Sequence, residues 1–229
     1  MTIGQKMKSD RLRETISEIG GGKAIFNKKA QHIENVVKKC VKDVQLYLEK
    51  KYPNYTFIHE SKIFKTEIIK KIGIKKYKFS CDSSHIKPDG GTLYLIIGKN
   101  KYPILISEAK KQGTNNLRKK EGKKEQSKGN AIERSYKNFC ELRLFCKKLS
   151  YFPFVMFIFG CDFQNGSSII DRLDGLTEYK PRNKIYVKDP SKIASVFVKE
   201  ENFSYEEVYS IMKKICNISI KEIVEKHGK

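Results

Sequence analysis

Thiol metal-binding motifs are the first thing this sequence lacks. The six cysteines, Cys40, Cys81, Cys140, Cys146, Cys161 and Cys216, include no CxxC pair and the four histidines are scattered, so neither a zinc site nor a disulfide framework is indicated. They read as reduced cysteines, mostly core fillers. The stretch MTIGQKMKSDRLRETISEIG has no apolar core ahead of a small-residue cleavage site, and no apolar run reaches about 18 residues anywhere. A soluble, cytoplasmic protein with no membrane partner is therefore expected. Nothing marks an internal boundary, and 229 residues at 39% hydrophobic content can bury a full core, so a single domain over 1–229 is the expectation. Acidic residues are the scarce charge. Lys and Arg number 47 against 26 Asp and Glu, and the resulting +21 points to a polyanionic partner, nucleic acid first. The competing explanation is the lysine-rich coding of an AT-rich genome, and composition alone does not choose between them.

What is present reads as alternating helices and strands. A polar leader, 1–22, ends in the flexible GGG at 20–22. AQHIENVVKKCVKDVQLYLEKKYP then carries Ile33, Val36, Val37, Cys40, Val41, Val44 and Leu48 at three-and-four spacing, which predicts an amphipathic helix ending before Pro53. Residues 61–76 are ambiguous. TLYLIIG, 92–98, and YPILISEAK, 102–110, are β-branched or aromatic runs that predict a hairpin turning at KNK. NAIERSYKNFCELRLFCKKL places Ile132, Tyr136, Phe139, Leu142, Phe145 and Leu149 on one helical face, and YFPFVMFIFGCDF suits a buried central strand. SYEEVYSIMKKICNISIKEIVEKHG opens with Ser204 and Glu207 at capping-box spacing and predicts a closing helix. Strands flanked by helices make an α/β fold.

One constellation carries chemistry. On a strand, Glu108 and Lys110 are two residues apart and project from the same face, while Ala109 points the other way. Asp89, in HIKPDGG at the lip of the partner strand, can come alongside them. Two carboxylates in a small space repel each other unless a cation sits between them, and hard oxygens partly open to water and phosphate suit Mg²⁺. A neighbouring lysine can stabilise charge developing at a phosphate, or orient or help deprotonate an attacking water. The set suits metal-dependent phosphodiester hydrolysis. Taken alone, however, an Asp-Gly-Gly turn and a Glu-x-Lys alternation are both common structural features.

The company these residues keep narrows the reading. Residues 111–130, KQGTNNLRKKEGKKEQSKGN, hold seven Lys or Arg and three Gly and cannot fold alone. They are either a solvated loop or a basic arm that orders against DNA phosphates, and the arm is favoured because it follows Lys110 directly. At Asn130 a helix opens, with Glu133 three residues on and Arg134 about one turn away. That is either an ordinary capped start or a helix tip able to read a major groove, since Asn pairs bidentately with adenine and Arg donates to base-edge acceptors. Spacing leaves the two equal.

Taken together, IKPDGG, SEAKKQG and GNAIERSYKN, followed by FPFVMFIFG and RLDGLT, resemble in order and spacing the EcoRI restriction endonuclease family. The likeness runs from about residue 20, through GKAIF, YLEKKYPNYTF and KTEI, to about residue 180. The resemblance implies a PD-(D/E)xK nuclease core with a mixed sheet between helices. It further implies a homodimer that uses Mg²⁺ to cut palindromic double-stranded DNA around an AATT centre, GAATTC in full, within a restriction-modification system. By that likeness Asp89 and Glu108 hold the metal, Lys110 assists the attacking water, and Glu60 corresponds to an accessory acidic residue, although its spacing to KTEI differs by one. Asn130, Ala131, Glu133 and Arg134 match the string that reads the inner bases, and Gln112 matches a glutamine that supports recognition. A companion methyltransferase acting on the same site is implied as well.

One departure bears on specificity. The family's RLDRL reads here as RLDGL, so Arg172 is retained while Gly175 stands where a second, outer-base-reading arginine is expected. A bidentate arginine contact discriminates by roughly 1–3 kcal/mol, and its loss without a substitute relaxes the outer position. Four readings thus remain open: a GAATTC-specific nuclease, a relative with AATT only or a relaxed outer base, a repair or structure-selective nuclease of the same fold without sequence specificity, and a non-catalytic, sequence-specific DNA-binding protein.

Overall fold

The computed structural model describes residues 22–73, 83–111, 122, 130–159, 194–199 and 202–227. Its first helix, α1 (Gly22–Lys51), carries the apolar stripe read from the sequence: Ile33, Val37, Cys40, Val41, Val44 and Leu48 are buried, and Val36 packs half-buried against them. The helix begins eight residues ahead of the expected start at Ala30. That added stretch, GKAIFNKK, is rich in Lys, which suits a helix without any apolar stripe to announce it. Its last backbone bond, Tyr52 N to Leu48 O at 2.8 Å, closes just before Pro53, which cannot continue a helix.

The chain then makes β1 (Thr56–Glu60), β2 (Ile63–Phe64) and α2 (Lys65–Ile72), so that the described part of the ambiguous 61–76 region, 61–73, holds a short strand and a two-turn helix. Gly73 ends α2 in the left-handed conformation, φ 84°, and its N–H returns to Ile69 O. β3 (His85–Ile86) pairs with β2, and β4 (Gly91–Ile97) leads into β5 (Asn100–Lys111). The hairpin turns at Gly98 and Lys99 rather than at KNK, because Gly98 takes a positive φ of 57° and Ile97 already pairs with Asn100. There follow α3 (Asn130–Phe145), β6 (Phe154–Phe159), β7 (Ala194–Lys199) and α4 (Tyr205–His227). The expected capping box at the start of α4 is present: Glu207 N donates to Ser204 Oγ at 3.2 Å and Ser204 N to Glu207 Oε2 at 2.7 Å.

Five strands form one mixed sheet in the order β1-β4-β5-β6-β7, antiparallel across β1, β4 and β5 and parallel across β5, β6 and β7. β6 is interior and wholly buried, as its uninterrupted apolar sequence predicts. One face of the sheet packs against α1 and α4 through Leu93, Leu95, Leu105, Ala109, Val155 and Phe157. The other packs against α2 and α3 through Tyr94, Ile106, Phe139, Leu142, Phe154 and Met156. This is the helix-flanked, mixed-sheet α/β architecture expected. Cys40, Cys146 and Cys216 are buried free thiols, and burial pushes those of Cys40 and Cys146 up to about 12, which leaves them protonated and inert.

One irregularity decides where the site faces. Between Leu93 and Tyr94 the register with β5 shifts, from Leu93 opposite Leu105 to Tyr94 opposite Pro103, so Ile104 is an extra residue. Ile104 and Leu105 consequently both enter the α1/α4 core. Before the bulge the even-numbered Tyr102 and Ile104 face that core. After it the odd-numbered Leu105 and Ala109 do, which sends Ile106, Glu108 and Lys110 to the α2/α3 side. Pro103, which has no N–H for the ladder, sits beside this break in the pairing, where an interior strand tolerates it.

Candidate active site

A tight turn presents Asp89 to the carboxyl-terminal half of β5. Gly91 N donates to Pro88 O at 3.0 Å and Gly90 N to Ser107 O at 3.0 Å. Both glycines of PDGG are required sterically. A Cβ on Gly90 would run into Ser107 Oγ and lie 2.6 Å from Val37 Cγ1, while Gly91 has φ +75° and a Cβ there would lie 2.5 Å from His59 Nε2. The His59 ring sits on this turn with Nε2 2.9 Å from Gly90 O, to which it donates.

Asp89 and Glu108 then clasp each other through the backbone. Asp89 N donates to Glu108 Oε2 at 3.0 Å, and Ala109 N donates to Asp89 Oδ2 at 3.1 Å. Lys110 completes the trio, its Nζ 2.7 Å from Glu108 Oε1 and 2.8 Å from Asp89 Oδ2. The ammonium thus sits between the two carboxylates. Their side chains differ in access: Glu108 is 2% exposed, Asp89 21% and Lys110 26%, so the cluster is buried on one side and open on the other.

Burial is the largest influence on Glu108 and raises its carboxyl above the ordinary range; Lys110 pulls it part of the way back, and the charge of Asp89 adds to the rise. Burial also acts to lower Lys110. The charges of Glu108 and Asp89 outweigh it and hold the ammonium above its usual range. In this arrangement Lys110 is therefore cationic and donates to both carboxylates.

Among the described residues no group of three or more His, Cys, Asp and Glu gathers as a metal cage. Asp89 and Glu108 are a convergent pair of hard oxygen donors that already hold a cation between them. Such a pair fits a divalent ion that keeps part of its shell for water and phosphate.

Glu60 shares this face of the sheet, its β1 position opposite Thr92. Its carboxylate nevertheless turns to Lys101, with Nζ 2.8 Å from Oε1 and 2.7 Å from Oε2, above the Tyr94 ring and 3.8 Å from Glu67. The trio and Glu60 are thus separate clusters on one surface. Asn130, Ala131, Glu133 and Arg134 open α3, whose backbone is described there and whose side chains are not. Gln112, Arg172 and Gly175 lie outside the described residues, as does nearly all of the proposed arm; of its expected bounds 111–130, Lys111 belongs to β5 and Asn130 to α3.

Two neighbours of the trio escape a reading of the sequence. Asn138 of α3 donates from Nδ2 to Glu108 Oε1 at 3.2 Å, and His59 pins the Gly90 turn. The available signal for Asn138 was a polar residue bordering the apolar stripe at Phe139 in the helix that follows the SEAK strand.

A mixed sheet that bends one strand so that two carboxylates and a lysine meet beside a crossover helix defines the restriction-endonuclease-like α/β class. The family model described as restriction endonuclease EcoRI matches residues 19–180. The type II restriction enzyme EcoRI of Escherichia coli is 35% identical over 190 residues, covering 76% of this chain and 67% of that enzyme. The type II restriction enzyme RsrI of Cereibacter sphaeroides is 32% identical over 186 residues, covering 74% of this chain and 67% of that enzyme. The chain belongs to the EcoRI family of type II restriction endonucleases.

Proposed function

We propose that the protein hydrolyses double-stranded DNA at a palindrome with an AATT centre, GAATTC in full, using Mg²⁺ and acting as a homodimer. The observation that carries this reading is the meeting of Asp89, Glu108 and Lys110 at one half-open point. Asp89 and Glu108 would hold the metal. The bound ion would polarise a phosphate oxygen and acidify a water. Glu108, fixed by three donors, keeps its carboxylate aimed into the site, and Asp89 presents the more open oxygens. Lys110, cationic and reaching the open side, stabilises the negative charge that grows at the scissile phosphate.

Recognition is assigned to Asn130, Ala131, Glu133 and Arg134 at the start of α3, with Gln112 and Arg172 in support and residues 111–130 wrapping the phosphates. A palindrome offers two equivalent half-sites, which a two-fold dimer meets with one set of contacts. The charge of +21 per chain favours salt-sensitive binding, with a slope of roughly −0.9 per neutralised phosphate. Within a host the activity would act in the cytoplasm beside a methyltransferase that protects the same site.

Gly175 favours a second reading, AATT with a relaxed outer pair, since it replaces the arginine expected there. Digestion of a sequenced plasmid in Mg²⁺, with run-off mapping of the ends, separates the possibilities. Discrete ends at every GAATTC support the first reading, and ends at AATT sites with varied flanks support the second. A smear points to a nuclease without sequence specificity. Intact DNA with retained specific binding points to a non-catalytic binding protein.

A further inference from the structure

We infer that Asn138 is a positioning residue for Glu108, so that the aim of this carboxylate depends on the placement of α3; the inference rests on the metal-holding role proposed above for Glu108. Three donors fix Glu108: Asp89 N on Oε2, and Lys110 Nζ and Asn138 Nδ2 on Oε1. They are not equivalent. The Asp89 and Lys110 contacts come from the turn and the strand that build the trio, and both move with the sheet. The Asn138 contact comes from the crossover helix, 30 residues further along the chain.

The chemistry suits Asn in particular. An amide N–H₂ donates to a carboxylate without adding charge, so it orients Oε1 and leaves the cluster's charge unchanged. Lys110 competes for the same oxygen, and a cation arriving between Asp89 and Glu108 would displace its ammonium from there. Asn138 keeps its hold through that exchange, and Glu108 meets the ion already oriented. Partners that orient a metal-holding group in this way are worth roughly 10–100-fold in metal affinity or activity.

The position on α3 adds a consequence. The helix begins with the Asn130–Arg134 segment assigned to base reading, and Asn138 lies eight residues, about 12 Å of helix, beyond its first residue. A helix moves as a unit. A shift of α3 on a matched or mismatched site therefore changes the Asn138–Glu108 bond directly, joining base reading to the state of the site.

The test compares the full-length protein with Asn138→Leu, which has similar volume and no donor, and Asn138→Gln, which returns an amide on a longer stem. Mn²⁺ binding by titration calorimetry is the primary readout, because it needs no cleavage. Asn138→Leu is expected to bind Mn²⁺ 10- to 100-fold more weakly, with Asn138→Gln between it and the wild type and thermal unfolding unchanged in both. In Mg²⁺ the single-turnover cleavage rate of Asn138→Leu falls by the same factor, while DNA affinity in Ca²⁺ stays that of the wild type. Wild-type Mn²⁺ affinity in Asn138→Leu overturns the inference, and so does a loss of DNA affinity as large as the loss of rate. A wild-type protein that binds Mn²⁺ but leaves DNA intact defeats the proposed activity and not the assignment of Asn138; one that binds no Mn²⁺ defeats both.

Discussion

After Ile104 the two sides of β5 could hardly differ more. One side sends Leu105, Ser107 and Ala109 against α1 and α4; the other sends Ile106, Glu108 and Lys110 against α3. The first face is almost wholly apolar, with Ile33, Val37, Val41, Val44, Leu48, Val208, Met212 and Ile220 filling it. The second gives up part of its apolar area to a buried carboxylate whose charged form its surroundings disfavour. The contrast separates two tasks. The α1/α4 face stabilises the fold, and the stability gained there tolerates a costly charge cluster one residue away along the same strand. Sites that hold unfavourable charges for function draw on stability supplied elsewhere in this way.

Several substitutions would sharpen or break that division. Glu108→Gln should lower the cleavage rate by on the order of 10³-fold, the loss expected when a carboxylate proposed to hold the metal, and worth several kcal/mol in that role, is neutralised. Single-turnover cleavage alongside gel-shift binding would show rate lost and binding kept. Leu48→Ala, in the opposite core, should reduce unfolding free energy by about 3 kcal/mol in urea titration with cleavage per folded molecule unchanged; a drop in that specific rate would join the two faces after all. Ser204→Ala removes the cap of α4 and should cost about 1 kcal/mol by the same titration, again without effect on rate.

The smallest expected effect is one of pH. Because the Glu108 carboxyl lies above its ordinary value in the fold, the native state keeps a proton there that the unfolded chain releases. Stability from this group is therefore greatest below the unfolded carboxyl range and declines as pH rises from about 4.5 through the folded value. Thermal unfolding of the wild type should lose ground to Glu108→Gln over that interval. Parallel curves for the two proteins would show that the carboxylate carries no such cost.

Much of this was legible in the sequence where the signal is local. The stripe Ile33 to Leu48, the capping box at Ser204 and Glu207 and the apolar run of β6 all follow from periodicity or short spacing, and each is present. The same-side projection of Glu108 and Lys110 needed only the two-residue period of a strand. The side they face did not follow, because the bulge at Ile104 depends on the register with β4. Glu60 illustrates the same limit: its place near the turn follows from pairing with Thr92, and its engagement by Lys101 belongs to a strand 41 residues away. Asn138 escaped for a similar reason, as nothing in YKNF signals the carboxylate on the strand that α3 packs against. β1 and β7 are short, and TFIHE in particular mixes apolar and charged residues too evenly to declare a strand.

The central claim is that Asp89, Glu108 and Lys110 form a cutting site while separate residues read the sequence. Its most direct test uses an end-labelled duplex containing one mapped site, incubated in Mg²⁺ with the wild type and with Lys110→Ala, cleavage and binding being followed on the same samples. The account predicts one discrete cut by the wild type and, from Lys110→Ala, undiminished specific binding with the duplex left intact. Equal cleavage by the two proteins would contradict it.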